Sequence, residues 1–234
     1  MSEKIKYEND LGRELVGIYT GREHEKVVIL CHGLFSDKDS NTLFSTIAKS
    51  LDKKDIGTFR FDFSGCGESN NAPLSMYQMR KDLAKTVEII NGNDDKDVFI
   101  LGHSLGGQIA LSQNHKLILL APYLNKDPER ISYLKKKLDG KNSATVENKF
   151  GKSFKITSSF VEEMSAITLK ESLSKINNET TFFEAKKDKL IPKNIYQEIK
   201  ISENKFINVI PLKTNHFFTT KRKKLFKEIS LFVN

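Results

Sequence analysis

The sequence predicts an α/β fold, with a mostly parallel central sheet flanked by helices and a small inserted cap. Two observations carry this: short apolar runs alternate with helical periodicity from residue 27 onward, and a single stretch of about 45 residues interrupts the alternation. At 234 residues the chain is long enough for one large core. Its 38% apolar and 29% charged fractions are globular values, which exclude a disordered or fibrous chain.

At the start, residues 5–7 and 15–20 flank the turn-rich Asn9-Asp10-Leu11-Gly12 and read as an antiparallel hairpin at the sheet edge. Strands are expected at 27–31, 58–63, 98–101, 117–121, 181–185 and 206–211. Leu43, Phe44, Ile47 and Leu51 share one helical face, as do Leu225, Phe226, Ile229 and Phe232 near the end. Ser75-x-x-Gln78 reads as a capping box that opens a helix with Met76, Met79, Leu83, Val87 and Ile90 on one side, and Asn91-Gly92 ends it. Residues 122–166 are rich in Lys, Ser and Asn and are expected to form an inserted cap or lid. This divides the core into a first part, 1–121, and a second part, 167–234, which resumes with a helix carrying Leu169, Leu173 and Ile176.

The balance of 38 basic and 30 acidic residues gives +8, but the lysines are interleaved with acids, as in Asp52-Lys53-Lys54-Asp55. That pattern is a solvated surface, and no Arg-rich arm or nucleic-acid-binding motif accompanies it. No apolar run approaches the ~20 residues that cross a bilayer. The chain opens Met1-Ser2-Glu3-Lys4 with no apolar signal core, so the expected location is cytoplasmic. Cys31 and Cys66 are too few for a disulfide scaffold and show no zinc spacing, so no metal and no cofactor are expected.

The chemistry-bearing motif is Gly102-His103-Ser104-Leu105-Gly106, a G-x-S-x-G pattern that lets the backbone turn sharply from strand to helix around a serine. Val98 to Leu101 supply the strand before it and Gly107 to Leu111 the helix after it. A serine hydroxyl needs a base. Of five histidines, His24 and His115 fall at the wrong end of the sheet, His103 is expected to point away from Ser104, and His32 belongs to another turn. His216, just beyond the last strand, remains. The chain order Ser, acid, His points to Asp188 after the strand 181–185, with Glu184 as the rival acid inside that strand. The amide of Leu105, together with that of Leu34 in the turn His32-Gly33-Leu34-Phe35, can form an oxyanion hole that His32 braces.

The segments Leu30-Cys31-His32-Gly33-Leu34, Phe61 to Ser69, the Ser104 elbow, Asp188-Lys189-Leu190-Ile191-Pro192 and Asn215-His216-Phe217-Phe218 resemble the α/β hydrolase superfamily, notably cinnamoyl (feruloyl) esterases and monoacylglycerol-lipase-like enzymes. The resemblance implies a catalytic triad of Ser104, Asp188 and His216, oxyanion amides of Leu34 and Leu105, and a cap after the sixth strand. It departs from the family pattern at Cys66, where these families often carry His. The implied activity is hydrolysis of small soluble carboxylic esters, hydroxycinnamoyl esters among them, by a serine hydrolase acting on a small-molecule ester. No nucleic-acid partner and no membrane insertion are implied. A thioesterase or monoacylglycerol lipase with the same triad, or a non-catalytic hydrolase-fold binding protein, are the alternatives. Charge placement adds one expectation: Lys38, Lys186, Lys187, Lys189 and Lys221 to Lys224 follow strand carboxyl ends and would make the catalytic mouth positive, with Asp94, Asp95 and Asp97 at the opposite end.

Overall fold

The computed structural model describes all residues except 93–95. Asp94 and Asp95 of the charge argument therefore lie outside the described residues. The chain runs β1(Ser2–Glu8), β2(Glu14–Thr20), β3(Lys26–Cys31), α1(Leu43–Asp52), β4(Ile56–Phe61), α2(Met76–Asn91), β5(Asp97–His103), α3(Leu105–Ala110) and β6(Lys116–Leu120). Then follow α4(Pro128–Leu138), β7(Ser143–Glu147), β8(Ser153–Thr157), α5(Ser158–Ser165), α6(Leu169–Ser174), β9(Thr180–Ala185), α7(Asn194–Ile201), β10(Ile207–Leu212) and α8(Arg222–Val233).

Eight strands form one sheet in the order β1-β2-β4-β3-β5-β6-β9-β10. The β1/β2 hairpin is antiparallel and pairs antiparallel onto β4, while every pairing from β4 to β10 is parallel. This is the mostly parallel, helix-flanked sheet the apolar rhythm predicts. Strands buried on both faces read as continuous apolar runs, and Val27 to Cys31 and Phe99 to Leu101 are at most 1% exposed. The helical stripes behave likewise: Leu43, Phe44, Ile47 and Leu51 of α1 are all buried, α1 contacts α8, and Leu225 and Ile229 of α8 are buried.

Two details differ from the sequence reading. β4 ends at Phe61, two residues earlier than expected, because Asp62 turns inward and accepts hydrogen bonds from the Lys38 amide (2.6 Å), Lys38 Nζ (2.8 Å) and the Glu68 amide (2.9 Å). At α2, Ser75 accepts from the Gln78 amide, but Gln78 turns its own side chain to Asp82 (2.9 Å) instead of back to Ser75. The free amides of Met76 and Tyr77 are taken by the Glu163 carboxylate of α5, at 2.9 and 2.7 Å. An acid at a helix N-terminus satisfies open donors and complements the helix dipole, so Glu163 pins the 122–166 segment to α2.

Within that segment α4, the β7/β8 hairpin and α5 pack on one another. Asp127 caps α4 and Pro128 stands in its first turn. Tyr123, Phe154 and Phe160 are buried at 4%, 3% and 0% exposure and form this segment's own small core, whereas Phe150 is exposed. Phe160→Ala should therefore cost about 3–5 kcal/mol, read as a lower denaturant midpoint at unchanged slope. A cost below about 1 kcal/mol would mean the segment packs less tightly than this structure shows.

Candidate active site

The elbow is built by close packing that excludes side chains. A Cβ on Gly106 would sit 2.1 Å from the Cys31 carbonyl oxygen, and one on Gly102 would sit 2.5 Å from the Gly106 carbonyl oxygen and from Gly107 Cα. Only glycine fits there, so α3 approaches β3 and β5 closely and Ser104 is forced to φ 53°, ψ −119°. A non-glycine residue in that region stores about 1–3 kcal/mol of strain. Backbone bonds hold it: the Ser104 amide donates to the Leu120 carbonyl (3.0 Å), and its carbonyl accepts from Gly107 and Tyr123 at 3.0 and 2.9 Å.

The loop after β10 brings His216 to the same cavity, of about 230 Å³, that Ser104 lines. His216 Nδ1 donates to Asp188 Oδ2 at 2.7 Å, and both side chains are buried. Asp188 Oδ1 accepts from the amides of Leu190 and Ile191, at 2.7 and 3.1 Å, which fixes the carboxylate. Burial pushes the Asp188 carboxyl up, but the bond to His216, its charge and the two amides outweigh burial and hold the group below its ordinary value. With Asp188 on Nδ1, the Nε2 nitrogen of His216 is left for another group. Among the described residues Ser104 Oγ makes no hydrogen bond, so the contact from serine to imidazole is not closed in this structure. Such bonds commonly tighten only when substrate is bound. The rival acid, Glu184, is engaged elsewhere: Oε1 accepts from Lys186 Nζ at 2.8 Å, and Oε2 lies 3.7 Å from Lys200 Nζ.

Leu34 lines the cavity, and Leu105 opens α3 directly after Ser104. Neither amide meets a backbone acceptor among the described residues, so both N–H groups are open to a ligand. His32 braces this turn as expected: Nδ1 donates to the Gly33 carbonyl (2.9 Å), and Nε2 accepts from the Phe63 amide (3.3 Å).

Sequence reasoning missed four side chains. His103 was expected to point away from Ser104, yet it lines the cavity and donates from Nε2 to the His216 carbonyl oxygen at 2.9 Å, which ties the two loops together. Complete burial, reinforced by nearby His216, pushes its pKa down to about 3, so the ring stays neutral at physiological pH. Asn148, in the turn between β7 and β8, donates to the Phe35 carbonyl (2.9 Å) and steadies the Leu34 loop. Lys149 of the same turn and Arg130 of α4 line the cavity. No local signal marks Asn148, because its partner is 113 positions away.

The expected positive mouth is corrected in its residues. Lys38 is buried against Asp62 and Glu68, and Arg222 reaches back to the Phe218 carbonyl. Among the described residues the cations that line the cavity are Arg130, Lys149 and Lys152, and none comes from the 186–189 or 221–224 clusters. At the opposite end of the sheet Glu23, His24 and Asp52 bring potential metal-ligating atoms within 4.8 Å of one another. No described helix is long and apolar enough to cross a membrane.

Several known proteins are similar to this chain. Protein phosphatase methylesterase 1 of Mus musculus is 30% identical over 112 residues, 47% of this chain and 28% of that protein, and its Candida albicans counterpart is 28% identical over 105 residues. The chain thus matches less than a third of the length of these relatives. Among solved structures, the alpha/beta hydrolase GrgF from Penicillium sp. sh18 aligns with a TM-score of 0.79 at 16% identity, covering 100% of this chain and 98% of that one. The ferulic acid complex of Est1E from Butyrivibrio proteoclasticus aligns at 0.76 and 17% identity over 97% of both chains. An esterase from Exiguobacterium antarcticum aligns at 0.77 and 16% identity over 99% of both. These likenesses show the α/β hydrolase fold. A family model described as Serine aminopeptidase, S33 matches residues 22–191, most of the chain, and the protein therefore belongs to that family of serine hydrolases within the α/β hydrolase superfamily.

Proposed function

We propose that this protein hydrolyses carboxylic esters of small substrates through an acyl-enzyme on Ser104, without a cofactor. The observation that carries this is the buried His216–Asp188 hydrogen bond, 2.7 Å long, opening onto the cavity lined by the strained Ser104. Ser104 Oγ attacks the ester carbonyl while His216 Nε2 takes its proton, and Asp188 holds the imidazole in the tautomer with hydrogen on Nδ1. The negative oxygen of the tetrahedral intermediate is received by the amides of Leu34 and Leu105. His216 returns the proton to the leaving alcohol, and a water then attacks the acyl-enzyme along the same route.

The family's description names an aminopeptidase, and the cavity argues for esters instead. A substrate with a free ammonium group needs an available carboxylate. Asp37, the acid lining the cavity, already accepts from Lys152 and from the amides of Asp39 and Ser40. A volume near 230 Å³ suits short acyl groups better than the chain of a long-chain monoacylglycerol. Residues 122–166 act as the cap that shapes the cavity, through Arg130, Asn148, Lys149, Phe150 and Lys152.

Release of p-nitrophenol from a series of p-nitrophenyl esters, acetate to octanoate, tests the proposal. The expected result is turnover well above buffer hydrolysis with a maximum at short acyl length. Folded protein inert toward the whole series would leave a binding protein on a hydrolase fold.

A further inference from the structure

We propose that the site prefers esters bearing a carboxylate group, held at the cavity mouth by Lys149 with support from Arg130; this rests on the hydrolase reading above. The charges at the cavity differ in how far they are already compensated. Lys152 is paired with Asp37, whose other oxygen is filled by two backbone amides. Arg130 is partly compensated: its Nε lies 3.5 Å from Asp127 Oδ2, yet that buried Nε makes no hydrogen bond. Asp127 spends Oδ1 on the amides of Glu129 and Arg130 at the start of α4.

Lys149 differs from both. It has no carboxylate partner among the described residues, and its ammonium sits 5.0 Å from the Phe150 ring centroid and 5.1 Å from that of Phe217. Phe217 in turn meets the His216 ring edge-on at 5.3 Å. Two aromatic faces hold the ammonium beside the candidate base but carry no net charge, so its positive field remains open to a ligand. Asp188, which neighbours the cavity, is committed to His216. One free ammonium and one half-compensated guanidinium match a singly charged carboxylate better than a doubly charged phosphate ester. A bound carboxylate would also give Arg130 an acceptor.

The test separates binding from turnover by using the Ser104→Ala protein. Calorimetry compares 4-(butyryloxy)benzoate with 4-(butyryloxy)benzamide, esters of matched shape that differ in charge. The benzoate should bind about five- to tenfold more tightly in low salt, as expected of a partly desolvated charge contact, and added salt should erode the difference. Lys149→Ala in the same background should reduce that ratio to about twofold or less, and Lys149→Arg should keep most of it. Equal affinities, no benzoate binding at millimolar concentration, or a ratio that survives Lys149→Ala would overturn the inference. The hydrolase reading fails separately, if the protein with Ser104 intact binds these esters and turns none of them over.

Discussion

Ser104→Ala should fold normally and lose ester turnover by about 10⁴-fold or more, because the hydroxyl is the atom that forms the covalent intermediate and the oxyanion donors alone retain only a residual effect. The substitution removes one oxygen at a position held by backbone bonds to Leu120, Gly107 and Tyr123, so the elbow keeps its shape. Relief of strain at φ 53° is not expected, since alanine suffers the same crowding as serine there. The measurement is kcat/KM on a short p-nitrophenyl ester, with thermal unfolding run in parallel. Retention of more than a few per cent of activity would transfer the nucleophile's role to another group.

The second large effect concerns the acid. Asp188→Asn should lower kcat by about 10³- to 10⁴-fold. The amide cannot offset the imidazolium that forms as His216 takes the proton, and it can turn its NH₂ toward Nδ1, which favours the wrong tautomer. Glu184→Gln should change kcat by no more than a fewfold, since Glu184 is engaged by Lys186 and Lys200 away from His216. Measured on the same ester, the reverse order of the two effects would give the acid role to Glu184.

The fold was legible where periodicity is strong and contacts are local. Strands buried on both faces announced themselves as apolar runs, and the α1 stripe of Leu43, Phe44, Ile47 and Leu51 fell on the face predicted. The glycines of the elbow were equally readable, because the crowding that demands them is a property of the strand-turn-helix junction itself. Five elements were not read: α4, β7, β8, α5 and α7. α7 buries only Ile195, Tyr196 and Ile199, too short a stripe to stand out. The β7/β8 hairpin alternates Val146, Phe154 and Ile156 with polar residues, but a lysine-rich context masks the period of two. α4 did carry a signal, Asp127 followed by Pro128, that marks a helix start.

In the site, Ser104, Asp188 and His216 could be ordered along the chain because each follows a strand at its carboxyl end. The charged lining could not be placed that way. Lys38 follows such a strand and is buried against Asp62, whereas Lys149 follows no strand of the eight-stranded sheet and reaches the cavity because the β7/β8 hairpin carries it over Phe217. Counting charges by loop identifies an end of the sheet. It does not tell which cations are already paired, and that requires tertiary contacts.

Labelling with a fluorophosphonate, with the adduct mapped by peptide mass spectrometry, tests whether Ser104 is the nucleophile activated by His216 and Asp188. A phosphonyl group placed on Ser104 alone, formed rapidly by the parent protein and very slowly by Asp188→Asn, is the predicted result. A folded protein that stays unlabelled, or one labelled on a different side chain, would contradict it.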